Sequence, residues 1–119
     1  MKYRVVEEHK PNNRNPIRVK KGETVILGRK SDEEDGWGNW IYCHSLHGTN
    51  EGWTPVQIIQ IENGYGVVLS DYSAKELDAR KGDVVDSELE LNGWLWCSRS
   101  INFEDGWLPA EKLIALQDV

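Results

Sequence analysis

The chain has 119 residues, 39% hydrophobic and 29% charged, which suits one ordinary globular domain or two very small ones and excludes a disordered polymer. Fourteen basic against twenty acidic side chains give a net charge of −6. That balance argues against nucleic acid as the main partner, since phosphate binding needs clustered Lys and Arg. No apolar run approaches the roughly 20 residues of a membrane span, and Glu7 and Glu8 stand where a signal peptide needs its apolar stretch. A cytoplasmic protein with no membrane partner is therefore expected.

In the first half, Lys20-Lys21-Gly22 is a turn signal leading into an apolar strand over 23–27. An acidic stretch follows, Ser31-Asp32-Glu33-Glu34-Asp35-Gly36-Trp37-Gly38. A second strand runs over 40–44, with aromatics on one parity and Cys43 on the other. A third, over 52–55, ends at Pro55, and a proline cannot donate to a central ladder. One helical turn is the most that can follow it, before a short apolar tail over 58–61. Glu62-Asn63-Gly64 is a turn signal, read as a short and rigid connection between two units in fixed relation.

The second half repeats the first. A strand over 83–90 follows Lys81-Gly82, others cover 94–98 and 106–109, and a tail covers 113–116. Glu51-Gly52-Trp53-Thr54-Pro55 recurs as Asp105-Gly106-Trp107-Leu108-Pro109, and Trp40-Ile41-Tyr42-Cys43 as Trp94-Leu95-Trp96-Cys97, both 54 residues later. Val19-Lys20-Lys21-Gly22-Glu23 recurs as Ala79-Arg80-Lys81-Gly82-Asp83, 60 residues later. The offsets differ because the first repeat carries a six-residue insertion, the acidic stretch around Trp37. Three blocks in one order signify a duplication, with domains expected at 1–62 and 63–119. Gly22 and Gly82 fall at turns that need unusual backbone angles. Short strands and Gly-rich turns predict an all-β fold of two small barrels.

These residues resemble an SH3 domain, twice. In the second repeat Val68-Leu69-Ser70-Asp71-Tyr72 resembles the ALYDY segment and Glu76-Leu77-Asp78-Ala79-Arg80-Lys81-Gly82-Asp83 the ELSFKKGD segment. Trp94-Leu95-Trp96-Cys97 resembles the paired-tryptophan strand, and Gly106-Trp107-Leu108-Pro109-Ala110-Glu111-Lys112-Leu113 the GWVPSNYV ending. The likeness spans nearly all of residues 65–117. The first repeat keeps the Lys-Gly-Glu turn, Trp40, Cys43 and the Gly-Trp-x-Pro block, but its opening diverges. The whole is similar to small bacterial proteins with tandem SH3-like domains.

The resemblance implies a groove for proline-rich peptides, with aromatic walls and an acid that holds a basic ligand residue. Carried over, the groove residues are Tyr72, Glu76, Trp94, Trp107 and Pro109 in the second repeat, and Trp40, Trp53 and Pro55 in the first. Ser70 and Lys112 stand where the family has two groove tyrosines, which argues against standard PxxP binding. In the first repeat those positions fall near Lys10 and at Ile58, and Pro16 replaces the loop acid.

Trp40 and Trp94, opposite in parity to the cysteines, should point outward, while Tyr42 and Trp96 are read as structural. Trp37, among carboxylates and near Trp40, suits a cationic group. Residues 1–63 are neutral and residues 64–119 carry −6. Asp86, Glu88 and Glu90, alternating on one strand face toward Trp94, would attract a basic peptide. Cys43, Cys97, His9, His44 and His47 lack zinc spacing, and no nucleophile elbow or phosphate loop occurs. The expectation is a non-catalytic module without cofactor or metal, monomeric or dimeric, binding a basic or proline-containing segment. The alternative is a structural protein using its aromatics for interdomain or homodimer packing. Enzyme, RNA-binding and cell-wall-binding readings find less support in the residues.

Overall fold

The computed structural model describes residues 1–32 and 38–117. Among these residues the chain is all-β. Its strands are β1 (Lys2–Val5), β2 (Arg18–Val19), β3 (Thr24–Lys30), β4 (Trp40–Ser45), β5 (Glu51–Pro55), β6 (Ile59–Ile61), β7 (Tyr65–Val68), β8 (Tyr72–Ser73), β9 (Val84–Leu91), β10 (Trp94–Arg99), β11 (Asp105–Pro109) and β12 (Leu113–Ala115). Each Trp-x-Pro block runs into one 3-10 turn, Val56–Ile58 and Ala110–Lys112, as the sequence predicts.

The chain folds as two compact units. A contiguous unit comprises Asn15–Ala74, and a split unit combines Met1–Arg14 with Lys75–Val119. The contiguous unit holds a sheet in the order β5-β4-β3-β7-β6, and the split unit one in the order β11-β10-β9-β1-β12. Their pairings are antiparallel throughout. A short pair, β2 with β8, adds to the contiguous unit.

This grouping differs from the division at residues 62 and 63 expected from the repeats. The reason lies in Asn63-Gly64, the two-residue loop most favoured in β-hairpins. Glu62 N–H donates to Tyr65 O at 2.8 Å, and Gly64 takes a φ of +82°. The segment read as a connection is thus a hairpin that holds β6 and β7 in one sheet. The first strand of the second repeat completes the unit built on the first repeat. Reciprocally, β1 lies between β9 and β12 in the split unit.

Alternation along β4 and β10 follows the expected parity. Ile41 and Cys43, like Leu95 and Cys97, point inward and are buried, whereas Trp40, Tyr42, Trp94 and Trp96 are half-buried. Val5, Leu77, Ala79, Val85, Leu95, Cys97 and Leu108 form the core of the split unit, with Tyr3, Ala110 and Leu113 packed on it. Ile17, Val19, Val25, Ile41, Cys43 and Val68 are the buried counterparts in the contiguous unit. Both cysteines are unbridged, one in each core, as expected of two small buried residues. Gly22 and Gly82 take φ of +89° and +99°, the turn geometry the sequence called for.

The acidic face expected on β9 does not form. Ser87 pairs with Cys97 and Leu89 with Trp96, so Glu88 is an extra residue at a bulge. The bulge reverses parity: Asp86 lies opposite Ser98, and Glu90 opposite the inward-facing Leu95. The side chain of Glu88 meets the Met1 ammonium. The charge asymmetry also disappears. The split unit holds nine basic and twelve acidic side chains and the contiguous unit five and eight, each −3.

Candidate binding site

In the split unit, β10 begins at Trp94 immediately after the Asn92-Gly93 turn, where both residues have positive φ. Trp94 lies opposite Leu91 on one side and Pro109 on the other. Its indole is half-buried and meets the ring of His9 edge-on, centroids 5.7 Å apart at 76°. His9 and Ala79 exchange two backbone hydrogen bonds of 2.9 Å, which seat the histidine, 8% exposed, beside Trp94.

Both ring nitrogens of His9 are engaged. Nε2 lies 2.6 Å from Glu76 Oε1, and Nδ1 lies 3.1 Å from Lys112 Nζ. An ammonium has no lone pair, so Nδ1 accepts from Lys112, and the ring proton sits on Nε2, donated to the carboxylate. Lys112 also donates to Glu8 O at 3.1 Å. Lys112 is in the 3-10 turn just after Pro109, and Glu76 forms a bridge with Trp107. Trp94, Pro109, Glu76, His9 and Lys112 therefore belong to one patch, with an indole beside a hydrogen-bonded His–Glu–Lys chain.

Gly106 permits this arrangement. A Cβ built there would lie 2.6 Å from Leu77 N and 2.7 Å from Glu76 C, so any side chain would push the Glu76 segment away. Two backbone bonds fasten that segment to β11, Trp107 N–H to Lys75 O at 2.9 Å and Leu77 N–H to Trp107 O at 3.1 Å.

Other expected groove residues are placed differently. Tyr72 is 8% exposed and pairs with Val19 in the contiguous unit, whereas Glu76 and Trp94 belong to the split unit. The matching position in the split unit is filled by His9, which the sequence does not single out; the groove-tyrosine position of the first repeat is expected near Lys10. Trp107 is 6% exposed and packs edge-on against Trp96, 5.3 Å between centroids, so it offers no open face. In the contiguous unit Trp40 is half-buried and lies opposite Pro55. Its backbone N–H donates to Ser31 Oγ at 2.9 Å. Pro55 itself is fully buried and cannot form a groove wall. Trp53 packs against Tyr42, and Arg29 of the same unit sits over its ring at 5.4 Å. Trp37 lies outside the described residues.

Burial governs the remaining chemistry. It pushes the Cys97 thiol up to about 11, only partly offset by a hydrogen bond from Ser87. Cys43 is raised for the same reason, with Thr54 acting against the shift. Neither is a ready nucleophile near neutrality. Cys43 points inward while His44 points outward and pairs with Glu51 at 2.8 Å, and no group of three metal-ligating side chains gathers among the described residues.

A family model described as a variant SH3 domain matches residues 2–62. The chain belongs to the variant SH3 domain family. No curated protein and no solved structure matches it. The SH3 match covers the repeat whose opening diverges most from the segments quoted above, and it runs from β1 to the end of β6. The linear order is thus that of an SH3 domain, while its first strand is seated in the other unit. SH3-type domains are in general non-catalytic modules that bind proteins or peptides. Among the described residues no helix is long and apolar enough to cross a membrane.

Proposed function

We propose that the chain is a tandem of two SH3-like units acting as a non-catalytic module, and that it binds a basic peptide segment across Trp94 of the split unit. The observation that carries this reading is the half-exposed indole of Trp94 flanked by Pro109 and the His9–Glu76–Lys112 chain. An indole face attracts a Lys or Arg head. Glu76 and Glu111 lie on the segments that frame Trp94, and the unit's −3 charge favours such a ligand. Proline stacking finds less support, because His9, equivalent to Tyr72, and Lys112 occupy positions where flat tyrosine walls would stand. Trp40, at the equivalent point of the contiguous unit, is a second and weaker candidate.

The test is an amide-shift titration of the full chain with three short extended peptides, one Arg-bearing, one proline-only and one Glu-bearing. Shifts confined to residues around Trp94, Glu76 and Lys112, largest for the Arg peptide and abolished by Trp94→Ala, support the proposal. Equal responses to all three, or none near Trp94, refute it. Packing remains the better reading for the Trp96–Trp107 pair, whose rings already cover each other.

A further inference from the structure

The seat between β9 and β12 is an interaction surface. We propose that it is selective for the N-terminal strand, residues 2–9, and that the exchange of first strands between repeats is written into side chains on both. The backbone does not discriminate. Val5 N–H donates to Asp83 O and Gly82 N–H to Val5 O, both at 2.8 Å. In the contiguous unit Val68 N–H donates to Glu23 O at 2.9 Å and Gly22 N–H to Val68 O at 2.7 Å. The bonds are the same, so residue 2 is equivalent to 65, 3 to 66 and 9 to 72.

Size discriminates first. At Gly66 a Cβ would stand 2.6 Å from Ile59 Cγ2 and 3.1 Å from Leu27 Cδ2, so the contiguous unit leaves no room for a side chain. Its counterpart, Tyr3, packs half-buried on the split-unit core opposite Val85. The residue equivalent to Leu27 is Ser87, which pairs with Cys97 as Leu27 pairs with Cys43. Glycine faces leucine in one unit, and the equivalent positions of the other hold tyrosine and serine. Interchange would drive a phenol into Leu27 and Ile59 and leave a void where Tyr3 packs on the split-unit core.

Polarity discriminates second. Lys2 lies opposite Asp86, whereas Tyr65 lies opposite Ile26. His9 finds Glu76 and Lys112, and the equivalent positions around Tyr72 are Pro16 and Ile58. Net charge follows the same assignment. Residues 1–14 carry +2 and dock on residues 75–119 at −5, while residues 63–74 carry −1 and dock on residues 15–62 at −2. The opposite assignment would set +2 against −2 and −1 against −5, weakening the attraction and strengthening the repulsion.

Size-swap rescue in the full-length chain tests this. Tyr3→Gly and Ser87→Leu are made singly and together, and amide hydrogen exchange is followed by residue. Each single variant should speed exchange over 84–86 and 113–115 by about tenfold or more, leaving 24–26 and 59–61 unchanged. The double variant, which reproduces the Gly66–Leu27 combination, should recover most of the protection. An effect equal to the product of the singles overturns the proposal, as does loss of protection over 24–26 and 59–61. Should Ser87→Leu not fold, the location of the Tyr3→Gly effect decides, together with the charge swap Lys2→Asp/Asp86→Lys. There, rescue of the single-site losses by the double variant supports selectivity, and additivity refutes it.

Discussion

Gly106→Ala should be among the most damaging single-carbon additions in the chain, and its cost can be worked from the contacts. The new Cβ would meet Leu77 N at 2.6 Å, Glu76 C at 2.7 Å and Leu77 Cα at 3.0 Å, all of them backbone atoms. Carbon contacts normally settle near 3.5–4.0 Å, so the strand and the Glu76 segment must separate by roughly an ångström. That motion stretches the Trp107–Lys75 and Leu77–Trp107 bonds, each worth about 1 kcal/mol. Overpacking adds about 1–3 kcal/mol, and the stiffer unfolded chain returns about 0.4–1 kcal/mol. The net loss is about 3 kcal/mol, enough to lower the melting temperature of a unit this small by about 10 °C or more. Gly52→Ala is the internal control. Its Cβ would meet Ile17 Cγ2 at 3.1 Å and Ile17 Cβ at 3.3 Å, with Ile17 N no nearer than 3.8 Å, so a shift of a few tenths of an ångström relieves it and the net loss should be about 1 kcal/mol, well below that at Gly106. Urea unfolding followed by tryptophan emission measures both variants. Equal losses, or a larger loss for Gly52→Ala, would show that backbone proximity at Gly106 does not hold the Glu76 segment in place.

The cysteines should be silent in the folded chain. With its thiol raised to about 11 against an ordinary 9.0, Cys97 holds roughly a hundredfold less thiolate at pH 8 than an exposed cysteine. Labelling by a chromogenic disulfide should therefore wait for denaturant, and prompt reaction would contradict the burial. The folded state binds this proton more tightly than the unfolded state, so its stabilising effect is complete below pH 9.0 and is lost as pH rises toward 11. A urea midpoint flat across that window would contradict the shift. Nitrogen chemical shifts of neutral His9 should report the proton on Nε2, and Lys112→Met should alter the Nδ1 resonance while weakening the split unit by about 1 kcal/mol. Arg99 pairs with Asp83 at 3.1 Å and Glu104 at 3.3 Å and donates to the Asp78 carbonyl; Arg99→Lys should cost about 1–2 kcal/mol, because an ammonium cannot span the three acceptors. An unchanged unfolding curve would count against that clamp.

Much of the architecture was legible because it is written in local pattern. Alternating burial along Trp40–Ser45 and Trp94–Arg99, the glycine turns and the single helical turn after each proline all depend on neighbours in sequence. Strand β1 carried no such mark. It is four residues long, and its seat between β9 and β12 lies in the far half of the chain, while β7 was marked only by the Asn63-Gly64 turn that pairs it with β6. The bulge at Glu88 was hidden as well, since one extra residue reverses the parity on which the acidic face was read. His9 escaped notice because its partners, Glu76 and Lys112, lie 67 and 103 residues away. The family positions pointed to Tyr72 for that place, and Asn63-Gly64 was the one sequence signal that could have redirected it.

The exchange also accounts for the divergent opening of the first repeat. Judged against residues 15–62, the sequence Lys2-Tyr3-Arg4-Val5-Val6-Glu7-Glu8-His9 fits poorly, with a tyrosine where only glycine fits and a histidine where its neighbours would be Pro16 and Ile58. Against residues 75–119 each of those residues has a counterpart: Lys2 faces Asp86, Tyr3 packs on the core beside Val85, and His9 bridges Glu76 and Lys112. The seat-facing positions of this strand thus suit the split unit, while the backbone bonds at Val5, which any residue but proline could make, match those at Val68. His9, one of these residues, lies beside Trp94 and within reach of Lys112. The composition of the patch around Trp94 is therefore set by which strand completes the split unit.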